Sequence, residues 1–327
     1  MDRRTFISIG GGGLLALYLN QHVHAQVATR RIGFLSGFPR ADIEIFVGQL
    51  RLELEKLGWA DGRNIVLLEP LTSGGDNARL PSAASRVVAE GPDLIIVQTV
   101  PATRALMQAT KSIPIVMVGV GNPVDLGIVA SYVKPGGNVT GSSYLANEYI
   151  MKLLQFLKEA VPRLQSVAVF INPTNEAAAP LVTQMRAASL GMQLQILEVS
   201  GNSDFEGAFT AIHGSKTQSI LLIPEPVIQS NRDTIASFAK THGLPLANVG
   251  SRRGLPASGL IAYGPTRDEY PRLAARYVDQ ILKGTKPGDL SIEQATRFEL
   301  TINLDAAKEL GLTIPQSVLG RADEVIQ

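Results

Sequence analysis

Arg31-Ile32-Gly33-Phe34-Leu35-Ser36, followed by the stretch 43–57, sets the plan of this chain. The hexapeptide is short, compact and apolar, as a strand buried on both faces must be, and the following stretch carries apolar residues at helical spacing. The pair reads as strand then helix. Working outward, residues 65–69, 94–98 and 115–118 read as further strands, with 80–89 and 102–109 as the helices between them. Such alternation predicts a parallel sheet with helices on both faces, because each crossover helix packs back onto the sheet.

The run Pro135-Gly136-Gly137-Asn138 is rich in turn formers, and beyond it the pattern starts again. Helices are expected over 149–160, 177–190, 205–213 and 228–241, and strands over 166–170, 193–199, 219–223 and 246–248. These make a second lobe of similar plan. Strand 260–263, helix 269–283 and strand 298–303 are too few for a third domain, so they are expected to cross back between the lobes and form a hinge. The fold class expected is therefore α/β, two doubly wound parallel-sheet lobes joined by a multi-strand hinge. Residues 26–142 would form the first lobe, with part of 265–290 returning to it, and 143–264 the second, with part of 291–327.

The N-terminus differs in character. Arg3 and Arg4 precede an apolar run over 6–19, and Val23-His24-Ala25 supplies the small residues of a cleavage site, so residues 1–25 read as an export signal. Asp2-Arg3-Arg4-Thr5-Phe6-Ile7 resembles a twin-arginine motif; the general secretory route fits the same residues. A periplasmic location is expected. The chain's 327 residues suit two domains, and 30 Lys+Arg against 29 Asp+Glu leave no surplus charge for nucleic acid. With 45% hydrophobic and 18% charged residues the rest is globular, and no later stretch approaches the ~18 apolar residues of a membrane span.

Catalytic signatures are missing. The chain has no cysteine, no P-loop, no G-x-S-x-G elbow and no H-E-x-x-H; His213 and His242, the two histidines after the cleavage site, stand far apart in sequence and are expected to be surface or capping residues. Gly119-Val120-Gly121 follows a strand, but Val124 holds the third glycine position of a dinucleotide loop and Pro123 interrupts the helix start. No cofactor and no metal are expected.

Small, polar or proline-containing clusters recur past the carboxyl ends of the strands, where parallel α/β sheets place their ligand crevices. Ser36, Phe38, Thr99, Ala102, Thr103, Gly121 and Asn122 would line one edge. Asn172, Thr174, Asn175, Glu225 and Asn248 would line the other, with Tyr263 ending a strand between them. Residues 99–103 and 172–175 open helices, where free N–H groups and the positive dipole end favour a carboxylate. Glu225 is the charged residue best placed to accept from a ligand ammonium, and Phe38, Tyr144 and Tyr263 offer flat apolar surface. Thr99, Thr174 and Asn175 read equally well as helix caps, and Pro224 and Pro226 as turn formers; as a set on two facing lobes they read as a site. Trp59 lies at the opposite strand ends and reads as packing.

The residues 57–64 (Leu-Gly-Trp-Ala-Asp-Gly-Arg-Asn), Ile113-Pro114-Ile115-Val116, Asn122-Pro123-Val124, 134–141 (Lys-Pro-Gly-Gly-Asn-Val-Thr-Gly), and the tail from Phe298 through Pro315 to Ile326 together resemble the ABC-transporter substrate-binding protein family that includes tryptophan/tyrosine-binding members. The resemblance implies a periplasmic-binding-protein type I fold, closure of two lobes on a small-molecule solute such as an amino acid, and delivery to an ABC permease with a cytoplasmic ATPase. A monomer without catalysis is expected; an exported α/β hydrolase and a ligand-sensing module for a receptor are the alternatives. Asn122 stands where the family often has Asp, which moves the amino-group contact to Glu225 or Asp125.

Overall fold

The computed structural model describes residues 29–144, 146–187 and 189–327; residues 1–25, expected to be an export signal, lie outside them. The first half runs β1 (Arg30–Ser36), α1 (Arg40–Lys56), β2 (Ile65–Leu67), β3 (Leu71–Thr72), α2 (Leu80–Ala89), β4 (Leu94–Gln98), α3 (Val100–Ala109), β5 (Ile115–Gly121) and β6 (Val139–Tyr144). The second runs α4 (Ala146–Ala160), β7 (Ser166–Ile171), α5 (Ala178–Ala187), β8 (Gln193–Glu198), α6 (Asp204–His213), β9 (Ser219–Leu222), α7 (Pro226–Ser230), α8 (Arg232–Thr241), β10 (Leu246–Val249) and β11 (Ile261–Pro265). The chain ends with α9 (Glu269–Leu282), β12 (Glu293–Gln294), β13 (Phe298–Asn303), α10 (Leu304–Glu309), α11 (Gln316–Leu319) and β14 (Glu324–Ile326).

Among the described residues these strands make two seven-stranded sheets. One has the order β12-β6-β5-β4-β1-β2, with β3 also on β1, and the other β14-β13-β11-β10-β9-β7-β8. All pairings are parallel except β11 with β13. Burial explains the apolar runs of the central strands. In β4, Ile95 and Val97 face a core with Leu80, Val87 and Leu106, while Leu94 and Ile96 face another with Ile43, Leu54, Ala274 and Val278. Successive side chains of a strand point to opposite faces, so both faces must be apolar, and each such buried side chain contributes about 1.5–3 kcal/mol. The helices show the complementary period: α2 buries Leu80, Ala83, Ala84 and Val87.

The chain passes between the sheets three times, after Tyr144, Pro265 and Gln294, so that α9 packs on the first sheet and β13 joins the second. At the last two crossings Glu269, fully buried, accepts from Thr296 N at 2.9 Å, Arg272 Nη2 at 3.0 Å and Arg297 Nε at 2.6 Å. Burial by itself would raise its pKa; the Thr296 N–H and the two guanidiniums outweigh that and hold it at about 2.

Strand β6 and the helix over 228–241 depart from the sequence reading. Strand β6 was not expected, because Val-Thr-Gly-Ser-Ser-Tyr reads as polar; it is buried through Ser143 since β5 and β12 flank it, and Thr140 Oγ1 donates to Leu290 O at 2.7 Å. The helix expected over 228–241 is two, broken at Asn231. His213 and His242, distant in sequence, meet at 5.2 Å between ring centroids, where α6 and α8 end. Trp59 packs against the core under α1 and donates Nε1 to Asp279 at 2.9 Å.

Candidate functional site

In each sheet the strand order reverses direction at one place: beside β1, flanked by β2 and β4, and beside β7, flanked by β8 and β9. Adjacent crossovers leave on opposite sides there, opening a crevice at the carboxyl ends. The two crevices face each other across a chamber of about 280 Å³. From the first lobe Phe38, Gln98, Thr99, Gly121, Asn122 and Tyr144 reach it; from the second come Asn175, Leu181, Ile223, Pro224, Glu225 and Val249.

Glu225 is the one carboxylate in this lining, among which there is no Lys or Arg. Its side chain is held in place from two directions: Asn172 Nδ2 donates to Oε1 at 3.2 Å and Asn175 Nδ2 to Oε2 at 2.8 Å. The asparagines are themselves fixed, since Asn172 Oδ1 accepts from Thr174 N at 3.0 Å and Asn175 Oδ1 from Ala177 N at 3.1 Å. Glu225 is 5% exposed, and burial pushes its pKa up to about 7 against the opposing pull of the two amides. A carboxylate in that state gains from any cation brought beside it.

The first lobe contributes shape. Thr99 has φ 80 and ψ 147, a region costly for a β-branched residue, and its side chain makes no capping bond. Its hydroxyl has no partner among the described residues, nor has that of Tyr144. Gly119, at φ +60, lacks the Cβ that would stand 3.0 Å from the Tyr270 ring, which lets that ring form part of the wall. Gly37 allows the lobes to touch: a Cβ there would lie 2.9 Å from Pro226 Cγ.

Of the residues singled out in the sequence, Phe38, Thr99, Gly121, Asn122, Asn175 and Glu225 line the chamber, and Asn172 stands behind Glu225. Ser36, Ala102 and Thr103 are buried one layer back; Ser36 Oγ donates to Gln98 Oε1 at 3.2 Å and Thr103 Oγ1 to Thr99 O at 2.8 Å. Thr174 lines a separate cavity, where Asn77 Nδ2 donates to its hydroxyl at 3.1 Å. Asn248 lines a neighbouring cavity. Tyr263 packs against Phe156 and Phe298 outside the chamber, and Asp125 is exposed outside it. Sequence reading did not single out Gln98, Gly119, Leu181 or Tyr270; Tyr270 sits in a helix whose place at the cleft follows only from the chain crossing.

The lobes are joined over the chamber. Besides Asn77 with Thr174, Ser230 Oγ donates to Gly74 O at 2.9 Å, Arg232 Nη1 to Asp42 Oδ1 at 3.0 Å, and Arg104 Nε to Glu176 Oε1 at 2.5 Å.

The profile of ABC transporter substrate binding proteins matches residues 46–326. The chain belongs to that family. A tyrosine-binding protein of Clostridioides difficile (strain R20291) is 29% identical over 264 residues, covering 79% of this chain and 74% of its own. The ABC domain of Streptococcus pneumoniae in complex with L-Trp superposes with a TM-score of 0.83 at 24% identity, over 91% of this chain and 100% of the other. A conserved domain protein from Vibrio cholerae gives 0.84 at 27%, over 91% and 99%. The fold is that of the type I periplasmic binding proteins, and the family consists of solute-binding proteins, not enzymes. As an ABC substrate-binding protein the chain takes a small-molecule ligand and works with a permease and ATPase, typically outside the cytoplasm. No helix among the described residues is long and apolar enough to cross a membrane.

Proposed function

We propose that this substrate-binding protein is the periplasmic receptor of an ABC importer and captures an apolar, aromatic α-amino acid. The observation that carries the reading is Glu225, a lone buried carboxylate with a raised pKa, set in a chamber walled by Phe38, Tyr144, Tyr270, Leu181 and Val249. The ammonium of the solute ion-pairs with Glu225, and the ring fills the apolar remainder. Relatives named for tyrosine binding or crystallised with L-Trp support the same class.

Capture proceeds by closure. An open form exposes both crevices, the solute binds one, and the second lobe closes over it as Asn77–Thr174, Ser230–Gly74 and Arg232–Asp42 form. The solute shifts the equilibrium by its greater affinity for the closed state. The expected partner is a permease with a cytoplasmic ATPase, the expected protein a monomer, and the expected export signal residues 1–25.

Thermal unfolding of the signal-free protein with L-tryptophan, L-tyrosine, L-phenylalanine and small neutral amino acids tests the reading. At a ligand concentration 100 times Kd, stability rises by about 2.7 kcal/mol. An aromatic amino acid should raise Tm and Glu225→Ala should abolish the rise; no response to any amino acid sinks the proposal.

A further inference from the structure

A second cavity of about 220 Å³ adjoins the first and shares Phe38, Gln98, Pro224, Val249 and Gly250 with it as a common wall. Its chemistry is opposite. Arg232, Arg253 and Arg267 line it with a single carboxylate, Asp42. Arg232 Nη1 donates to both Asp42 oxygens, at 3.0 and 3.1 Å, and Arg253 Nη2 stands 3.6 Å from the same group. Arg267 forms no ion pair among the described residues. Burial lowers the pKa of Arg253, Asp42 opposes that, and Arg267 and Arg232 reinforce it, as expected where like charges converge.

The cluster gathers residues from each part of the molecule: Asp42 on α1, Arg232 on α8, Arg253 beyond β10, and Arg267 in the crossing between β11 and α9. Asn248, 1% exposed, also lines this cavity, and its Oδ1 has no partner among the described residues. A buried amide oxygen without a donor is costly and marks a place where a bound molecule supplies one. The first chamber, by contrast, offers a carboxylate no cation.

We propose that the second cavity is the anion subsite of the cleft, in which Arg253 and Arg267 bind the carboxylate of the solute whose ammonium meets Glu225. This assignment rests on the amino-acid reading above. Arg232 stays with Asp42, the guanidinium forks of the other two bond the oxyanion, and Asn248 Oδ1 accepts an N–H from the solute. All three arginines follow strands of the second sheet, so the oxyanion site belongs to that lobe and its crossing segment, and the first lobe adds only Asp42, which holds Arg232.

Calorimetric titration of the signal-free protein with L-tyrosine, with tyramine, which lacks the carboxylate, and with 3-(4-hydroxyphenyl)propionate, which lacks the ammonium, tests the assignment. In the wild type, loss of the carboxylate should weaken binding by about 30-fold, as for a charge-assisted bidentate contact. Arg253→Gln should weaken L-tyrosine and leave tyramine unchanged. If Arg253→Gln keeps the full preference for L-tyrosine over tyramine, the carboxylate lies elsewhere, at the opening turn of α3, and the proposal is overturned. Arg267→Gln, at an exposed position, carries the same test should Arg253→Gln not fold. If L-tyrosine does not bind the wild type, the amino-acid reading fails on its own. Succinate and phosphate then probe the subsite directly: saturable binding removed by Arg253→Gln supports it, and no binding of either overturns it.

Discussion

Two buried glutamates, one in the cleft and one at the crossings, hold opposite states. Glu269 accepts from a backbone N–H and two arginines and is held at about 2, whereas Glu225 accepts from two neutral amides and is pushed up to about 7. Both are removed from water, so the difference lies in whether the protein supplies a countercharge. At the crossings it does, and the carboxylate fastens the start of α9 to the segment before β13. In the cleft it does not, since no Lys or Arg lines the chamber beside Glu225.

The strongest challenge to this contrast is removal of each carboxylate. Glu269→Ala should lower stability by about 2 kcal/mol, as read by urea unfolding, since it removes charge-assisted bonds to two half-exposed arginines and the acceptor of Thr296 N. Glu225→Gln should leave stability at pH 8 unchanged or higher while weakening an aromatic amino acid by about 100-fold, measured by titration. If the Glu225 variant is the less stable one, the contrast is reversed.

The pH profiles should also run in opposite directions. Glu225 has a folded pKa above its unfolded one, so its favourable contribution is complete below about 4.5 and declines as pH rises toward 7, by up to ~3 kcal/mol. Glu269 has a folded pKa below its unfolded one, so its contribution is present above about 4.5 and is lost as pH falls toward 2. Urea titrations from pH 3 to 8 of the wild type against Glu225→Gln and Glu269→Gln separate the two; parallel profiles would erase the distinction. Affinity for a cationic ligand should rise between about pH 6 and 8 in the wild type and be flat in Glu225→Gln.

The smallest effect is expected from Asn175→Ala, which deprives Glu225 Oε2 of its donor at 2.8 Å. Affinity at pH 7 should fall several-fold, about 1 kcal/mol, with a shift of the affinity profile to higher pH. A loss as large as that of Glu225 itself would place Asn175 in direct contact with the solute.

Much of the sheet plan was legible because doubly covered strands carry apolar runs on both faces, as β1, β4 and β9 do over residues 32–35, 94–97 and 220–222. Strand β6 escaped because its Thr140 and Ser142 are satisfied by distant groups, Leu290 O and Gly119 N. The placement of Glu225, Asn172 and Asn175 past carboxyl strand ends was legible, since those ends are identifiable from strand and helix order alone. That of Tyr270 and the arginine cluster was not, because Arg232, Arg253 and Arg267 lie on three separate segments of the second lobe and its crossing that meet only in the folded chain.

The sequence by itself determined the alternation of strand and helix, and with it which residues stand at carboxyl strand ends, because hydrophobic period and turn chemistry are local properties. Only the tertiary structure decided the charge of each buried group. Whether a glutamate stands beside two arginines or two asparagines depends on which distant segments fold against it, and that sets whether its charge is compensated.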